Sequence, residues 1–196
     1  DKFKEEHAEL FRQDGELKAN FIKAEKAIAR SLRDPLFQEY MSGEKQVIMT
    51  GELFGSKWKI KMDSYHPGRA IVDLKYMQSL TKFGYVPDIG YLDFVRYWGY
   101  DLQGAIYQEI VYQNTGKRLP FYIAGISKEE AMNIEVIYIH DNYLKEAMKV
   151  IESRMPRILQ VKYHGAKPDR CEQCIWCRDT KVLTKPIGIG DLTASL

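Results

Sequence analysis

The 196-residue chain has no apolar run near the roughly 18 residues of a membrane-spanning helix, and no signal peptide is evident. Both absences point away from membranes, so a cytoplasmic protein with no membrane partner is expected. Strong charge of one sign is missing too, since 29 Lys and Arg against 27 Asp and Glu leave a net +2. That balance neither demands nor excludes nucleic acid, because local clustering outweighs the total. Cysteine is scarce: the three present all lie in Cys171-Glu172-Gln173-Cys174-Ile175-Trp176-Cys177. An odd count in one short stretch argues against a secreted disulfide framework. Internal repeats and low-complexity tracts are also absent. The chain opens on Asp1 rather than Met, which fits a sequence that continues upstream.

What is present reads as one mixed α/β domain with a core of ordinary size. The periodicity predicts a short amphipathic helix over Phe3 to Phe11, and a second over Glu16 to Leu32 with Phe21, Ala24, Ile28 and Leu32 on its inner face. Asp34-Pro35 is a cap followed by a first-turn proline and opens a short helix to Met41. Strands are expected over Gln46 to Leu53, Lys57 to Asp63 and Ala70 to Lys75, as an antiparallel meander turning at Gly55-Ser56 and Pro67-Gly68. The stretch Tyr76 to Arg96 reads as an irregular loop. A helix from Tyr100 to Asn114 ends at Gly116, with Leu102, Ile106 and Ile110 as its apolar stripe. Strands over Phe121 to Ile126 and Ile134 to His140 follow. Asp141 is expected to cap a last long helix that Pro156 kinks or ends.

The chemistry concentrates in the second hairpin. Trp58, Ile60 and Met62 alternate with Lys57, Lys59, Lys61 and Asp63, while Asp73 and Lys75 share a face of the following strand. This reads as a polar face carrying two carboxylates and a lysine. Two such carboxylates a few ångströms apart repel by about 4 kcal/mol at an effective dielectric of 20, so the pair suits a shared proton or a cation. Asp and carbonyl oxygens are hard ligands for Mg²⁺ or Mn²⁺. A lysine beside a hard metal fits phosphoryl chemistry, with Lys57, Lys59 and Lys61 drawing in a phosphate backbone. A tight turn, however, pairs Asp63 near Ala70 and leaves Asp73 about 10 Å further along, so convergence needs a wide turn, a bulge or strong twist.

Asp63, the apolar-apolar-Asp-x-Lys run ending in Asp73 and Lys75, and Gln103-x-x-x-Tyr107 on the next helix resemble the signature of the PD-(D/E)XK nuclease superfamily. The nearest branch is the RecB-like and phage-exonuclease-like one. The run from Gly43 to Met77, the segment Asp101 to Gln108 and the cysteine cluster resemble a phage-related exonuclease family within it. The resemblance implies a restriction-endonuclease-like core with a central mixed sheet of about five strands flanked by helices. It implies a nuclease domain over residues 1–179 with an extended tail over residues 180–196. Asp63, Asp73 and the Leu74 carbonyl would hold the metal, Lys75 would position water or stabilise developing charge, and Gln103 and Tyr107 would contact substrate or hold Lys75. Gln46 or Glu52 would supply a further polar group from the preceding strand, and Gln46 would also face DNA. Branch members often carry a His before the meander, for which His7 is a doubtful match. Double-stranded DNA ends, a single-strand annealing protein and a homo-oligomer are the implied partners. A non-catalytic DNA-binding module, an end-processing nuclease or an endonuclease are the alternatives.

Three cysteines spaced by two residues supply three soft ligands, and His164 could provide a fourth for zinc. Some RecB-like nucleases close an iron–sulfur cluster with one upstream cysteine and three near the C-terminus. The reading adopted is the plainer one: reduced thiols in a turn, with Trp176 anchoring the tail to the body.

Overall fold

The computed structural model describes residue 4 and residues 6–86, 89–172 and 174–190. Its elements are α1 (Ala19–Leu32), α2 (Pro35–Tyr40), β1 (Glu44–Leu53), β2 (Ser56–His66), β3 (Ala70–Met77), β4 (Gly84–Val86), β5 (Gly90–Leu92), α3 (Phe94–Tyr97), α4 (Tyr100–Thr115), β6 (Phe121–Ser127), β7 (Ile134–Ile139), α5 (Asp141–Tyr163) and α6 (Ile175–Asp179). Five strands form one mixed sheet in the order β1-β2-β3-β6-β7, in which only β3 and β6 run parallel. A parallel pair needs a crossover, and α4 lies within it. The expected mixed five-stranded core with flanking helices is thus the observed one.

Both faces of the sheet are covered, and alternation along β3 and β6 shows how. Ile71, Phe121 and Ile123 join the larger core beneath α4 and α5, whereas Ala70, Val72, Ala124 and Ile126 pack with Ala27 of α1 and Phe37 of α2. A central strand that feeds two cores cannot have a solvated face. Asp73 and Lys75, on the Ile71 side of β3, are therefore covered by α4.

Several expectations are corrected. The helix expected over Phe3 to Phe11 is kept at Lys4 and Glu6 but gives way to a 3-10 turn over Ala8–Leu10, after which Phe11 bridges back to Leu17. Phe3 lies outside the described residues. That return, closed by Arg12 N–H to the Glu16 carbonyl, delays α1 to Ala19. The buried position of α1 is Ala27; Ile28 and Leu32 of the expected stripe face solvent. Residues 76–96 contain the β4–β5 hairpin and α3 instead of plain loop, although Pro87 and Asp88 lie outside the described residues. His140, with no side-chain hydrogen bond, holds the cap position expected of Asp141. Helix α5 continues through Pro156 to Tyr163, with the exposed proline on its outer side. The tail is exposed up to Gly190, and residues 191–196 lie outside the described set.

Candidate active site

The hairpin between β2 and β3 is longer and tighter than its sequence implies. Strand β2 continues to His66, which pairs with Ala70, followed inward by Tyr65 with Ile71 and Ser64 with Val72. The turn is only Pro67-Gly68-Arg69, with Gly68 at φ +71°. Extending that register by one step sets Asp63 opposite Asp73, so the 10 Å offset expected from a shorter strand does not arise. The ladder stops there because β2 turns away to follow β1. In the opening, Asp63 Oδ2 accepts the Leu74 N–H at 2.9 Å, replacing the missing ladder bond.

Strand β1 is distorted at the same level. Lys45 pairs with Ser64 and Val47 with Met62, which leaves Gln46 facing Asp63. Gln46 has φ +56°, a left-handed backbone that an L side chain resists. Its side-chain amide donates to Asp63 Oδ1 at 2.9 Å. The inward alternation of β2 also slips here, since Met62 and Tyr65, three residues apart, belong to the same core. The register runs unbroken on either side, so no residue is inserted and the left-handed backbone at Gln46 is the local distortion.

On β3 the two charged residues project beneath α4. Asp73 is only 3% exposed. Its Oδ1 accepts from Gln103 Nε2 at 2.7 Å, while Gln103 Oε1 accepts from Lys75 Nζ at 2.9 Å. Only this orientation of the amide satisfies a carboxylate on one side and an ammonium on the other. Lys75 Nζ also lies 2.5 Å from Asp73 Oδ2 as an ion pair. Apart from that ammonium, the buried Oδ2 has no hydrogen-bond partner. Burial raises the Asp73 carboxyl above its ordinary pKa; Lys75 pulls it back, and the charge of Asp63 pushes it further up. The Tyr100 ring completes the surround of Lys75, with Nζ 4.5 Å from its centroid. Tyr100 carries no motif signal, and only the path of the helix brings it here.

The donor set suits a hard divalent cation. Asp73 Oδ2 meets only Lys75 and keeps a lone pair, as does each Asp63 oxygen after accepting one N–H. A strand residue's N–H and C=O point to the same edge, so the Leu74 carbonyl opens onto the gap in which its N–H meets Asp63. Tyr107, in contrast, donates to the Lys61 carbonyl at 3.0 Å, fixing α4 to β2 just before Asp63. Glu52 sits at the far end of β1, opposite Lys57, with its backbone bonded to Gln113. Lys57, Lys59 and Lys61 are exposed on the sheet face opposite Trp58, Ile60 and Met62, and hence away from α4. His7 lies beside Glu9 at the amino-terminal 3-10 turn.

The cysteines form a second centre. The thiols of Cys171, Cys174 and Cys177 lie within 4.8 Å of one another. Backbone N–H groups of Cys174 and Cys177 donate to the sulfurs of Cys171 and Cys174. Cys177 is the buried member, whereas Trp176 is half exposed and lies under Arg170 rather than anchoring the tail. His164 caps the end of α5 and is not part of the cluster; Gln173 lies outside the described residues.

Residues 1–180 match the model of a PDDEXK-like domain of unknown function, DUF3799. Among solved structures, the chain is similar to a protein of Eubacterium rectale described as a "putative exonuclease". The two share 63% identity with a TM-score of 0.88 over all of this chain and 73% of that one. No curated protein matches. No helix among the described residues is long and apolar enough to cross a membrane.

Proposed function

The chain belongs to the PDDEXK-like family and is a nuclease of the PD-(D/E)XK superfamily, and from that premise we propose that it is a divalent-metal-dependent exodeoxyribonuclease hydrolysing phosphodiester bonds at the ends of linear double-stranded DNA. The observation that carries this reading is the buried Asp73 carboxylate, whose Oδ2 meets only the Lys75 ammonium, across the strand opening from Asp63. The exonuclease description of the E. rectale protein favours end-directed cleavage over the endonuclease alternative. A role in phage-type recombination rests on the resemblance set out above.

Asp63, Asp73 and the Leu74 carbonyl would hold Mg²⁺ or Mn²⁺. When bound, such an ion supplies Lewis acidity toward a phosphoryl oxygen and neutralises phosphate charge. Lys75 keeps its ammonium at the carboxylates, where it orients the attacking water and faces the negative charge that develops on the phosphoryl oxygens. Gln103 fixes both Asp73 and Lys75, so neither side chain must reorganise during the reaction. Gln46 does the same for Asp63. Tyr107 holds α4 down on β2 and keeps Gln103 in place.

The test compares linear and closed circular DNA in Mg²⁺, using the wild type, Asp73→Asn and Lys75→Ala. Metal-dependent loss of linear DNA, with each variant slower by about 100-fold or more, is expected. A wild type that leaves linear DNA intact, or variants that digest it at the wild-type rate, overturns the assignment. Equal digestion of the closed circle overturns the exonuclease reading and leaves an endonuclease.

A further inference from the structure

Next to the catalytic carboxylates the surface changes character. A groove of about 360 Å³ runs between β3, β4 and α3, walled by Tyr76, Phe83, Tyr97, Trp98 and Tyr100, with Lys82 and Lys128 at its edge. Among the described residues, no Asp or Glu lines it. In a chain with nearly equal numbers of acids and bases, that local imbalance selects an anionic occupant. Asp93 and Asp101 line a separate cavity that shares Phe94, Lys82 and Phe83 with the groove.

The groove is a built feature. A Cβ at Gly84 would lie within 2.3 Å of the Tyr97 ring, so glycine is what lets the ring press on the β4 backbone and tie the hairpin to α3. Trp98 meets Tyr97 edge to face at 5.2 Å. Lys128 donates its backbone N–H to the Met77 carbonyl, and its Nζ lies 5.0 Å from the Tyr76 ring centroid. Yet Phe83 and Trp98 remain 65% and 62% exposed. Large rings held in place and left uncovered have a face to offer. The groove also leads directly to the reacting groups, because Tyr100 lies in its wall and against Lys75, and Tyr76 follows Lys75 in β3.

We propose that this groove is a subsite for single-stranded nucleic acid, in which unpaired bases stack on Phe83 and Trp98 and phosphates pair with Lys82 and Lys128. Exposed aromatic faces interleaved with lysines are how proteins hold unpaired strands regardless of sequence. A duplex offers base edges and phosphates but no base faces, so the rings select a frayed or overhanging end. The subsite deepens the nuclease reading above and rests on it: it names the substrate form delivered past Tyr100 to Asp73 and Lys75.

The test uses the full chain carrying Asp73→Asn, so that binding is measured without cleavage. A short fluorescein-labelled oligothymidylate is compared with a blunt hairpin duplex, alone and after adding Trp98→Ala, Trp98→Phe, Phe83→Ala or Lys128→Ala. The oligothymidylate is expected to bind more tightly than the blunt duplex and to quench tryptophan fluorescence. Trp98→Ala and Phe83→Ala should each weaken it roughly 5- to 100-fold, with Trp98→Phe restoring most of the loss. Lys128→Ala should flatten the salt dependence. Unchanged oligothymidylate binding in both alanine variants, with circular dichroism showing them folded, overturns the subsite. So does preferential capture of an acidic peptide by the same rings. Cleavage by the wild type is scored separately: ring-independent binding by an active nuclease sinks the subsite alone, and ring-dependent binding by a protein that never cuts DNA sinks the nuclease reading.

Discussion

Gln46 occupies a backbone conformation its side chain resists, and it does so directly across from Asp63. The residue combines two effects that substitution can separate. Gln46→Ala removes the amide that holds Asp63 but keeps a Cβ at φ +56°, whereas Gln46→Gly removes the amide and the strain together. The glycine variant is therefore expected to be more stable than the alanine variant by about 1 kcal/mol, read from urea denaturation midpoints. Equal midpoints would show that the left-handed position costs nothing. Both variants are expected to lose nuclease activity, because Asp63 then keeps only the Leu74 N–H. At this scale the motif residues were legible, since carboxylates, lysine and glutamine at those spacings have few uses together. Tyr100 was not, because its ring reaches Lys75 only through the route the chain takes before α4.

Helix α4 carries the site only as precisely as it lies on the sheet. Gly104 follows Gln103, and a Cβ there would stand 2.6 Å from Phe121 Cδ1 and 3.0 Å from Leu144 Cδ2. Alanine normally gains up to about 1 kcal/mol over glycine within a helix. Here the buried Phe121 ring cannot yield, so Gly104→Ala is expected to destabilise by about 1–3 kcal/mol and to slow cleavage by lifting Gln103. Thermal unfolding and cleavage rate together check this; a more stable, fully active variant would refute it. Pro156 is the opposite case. It sits mid-helix on the exposed side of α5, where it removes one backbone donor without touching the core. Pro156→Ala is expected to stabilise by about 2 kcal/mol, the helix gain offset in part by a freer unfolded chain. The slipped face of α1 teaches the same lesson. Large apolar residues mark an expected stripe, but the small Ala27 is what allows close approach to Val72 and Ala124.

Across the whole molecule, the cysteine segment is tied back to α5 by Arg157, which donates to Asp169 and to the Lys167 carbonyl. Three converging thiols make a stronger case for a soft metal than their spacing alone, and we propose that they bind one ion, with zinc the simplest probe. The two exposed thiols, Cys171 and Cys174, should react with Ellman's reagent in chelator-treated protein and be protected by one equivalent of Zn²⁺, with a rise in unfolding temperature. Unaltered thiol reactivity in the presence of Zn²⁺ would exclude the site. The sequence by itself determined the five strands of the main sheet, the meander and the helix after it, and it singled out the five motif residues, because periodicity, turn residues and spacing are local properties; the β4–β5 hairpin and α3 lay in a stretch that reads as loop. Tertiary structure alone decided that Asp73 and Lys75 are roofed by α4 while Lys57, Lys59 and Lys61 face away from it, that Asp73 is buried, and that Asp63 stands opposite it. Burial depends on which elements stack, and register depends on where two strands stop pairing; neither is encoded within reach of a local pattern. The hairpin reads as charged surface when taken alone, and Asp73 and Lys75 become a desolvated pair only when a distant helix closes over them.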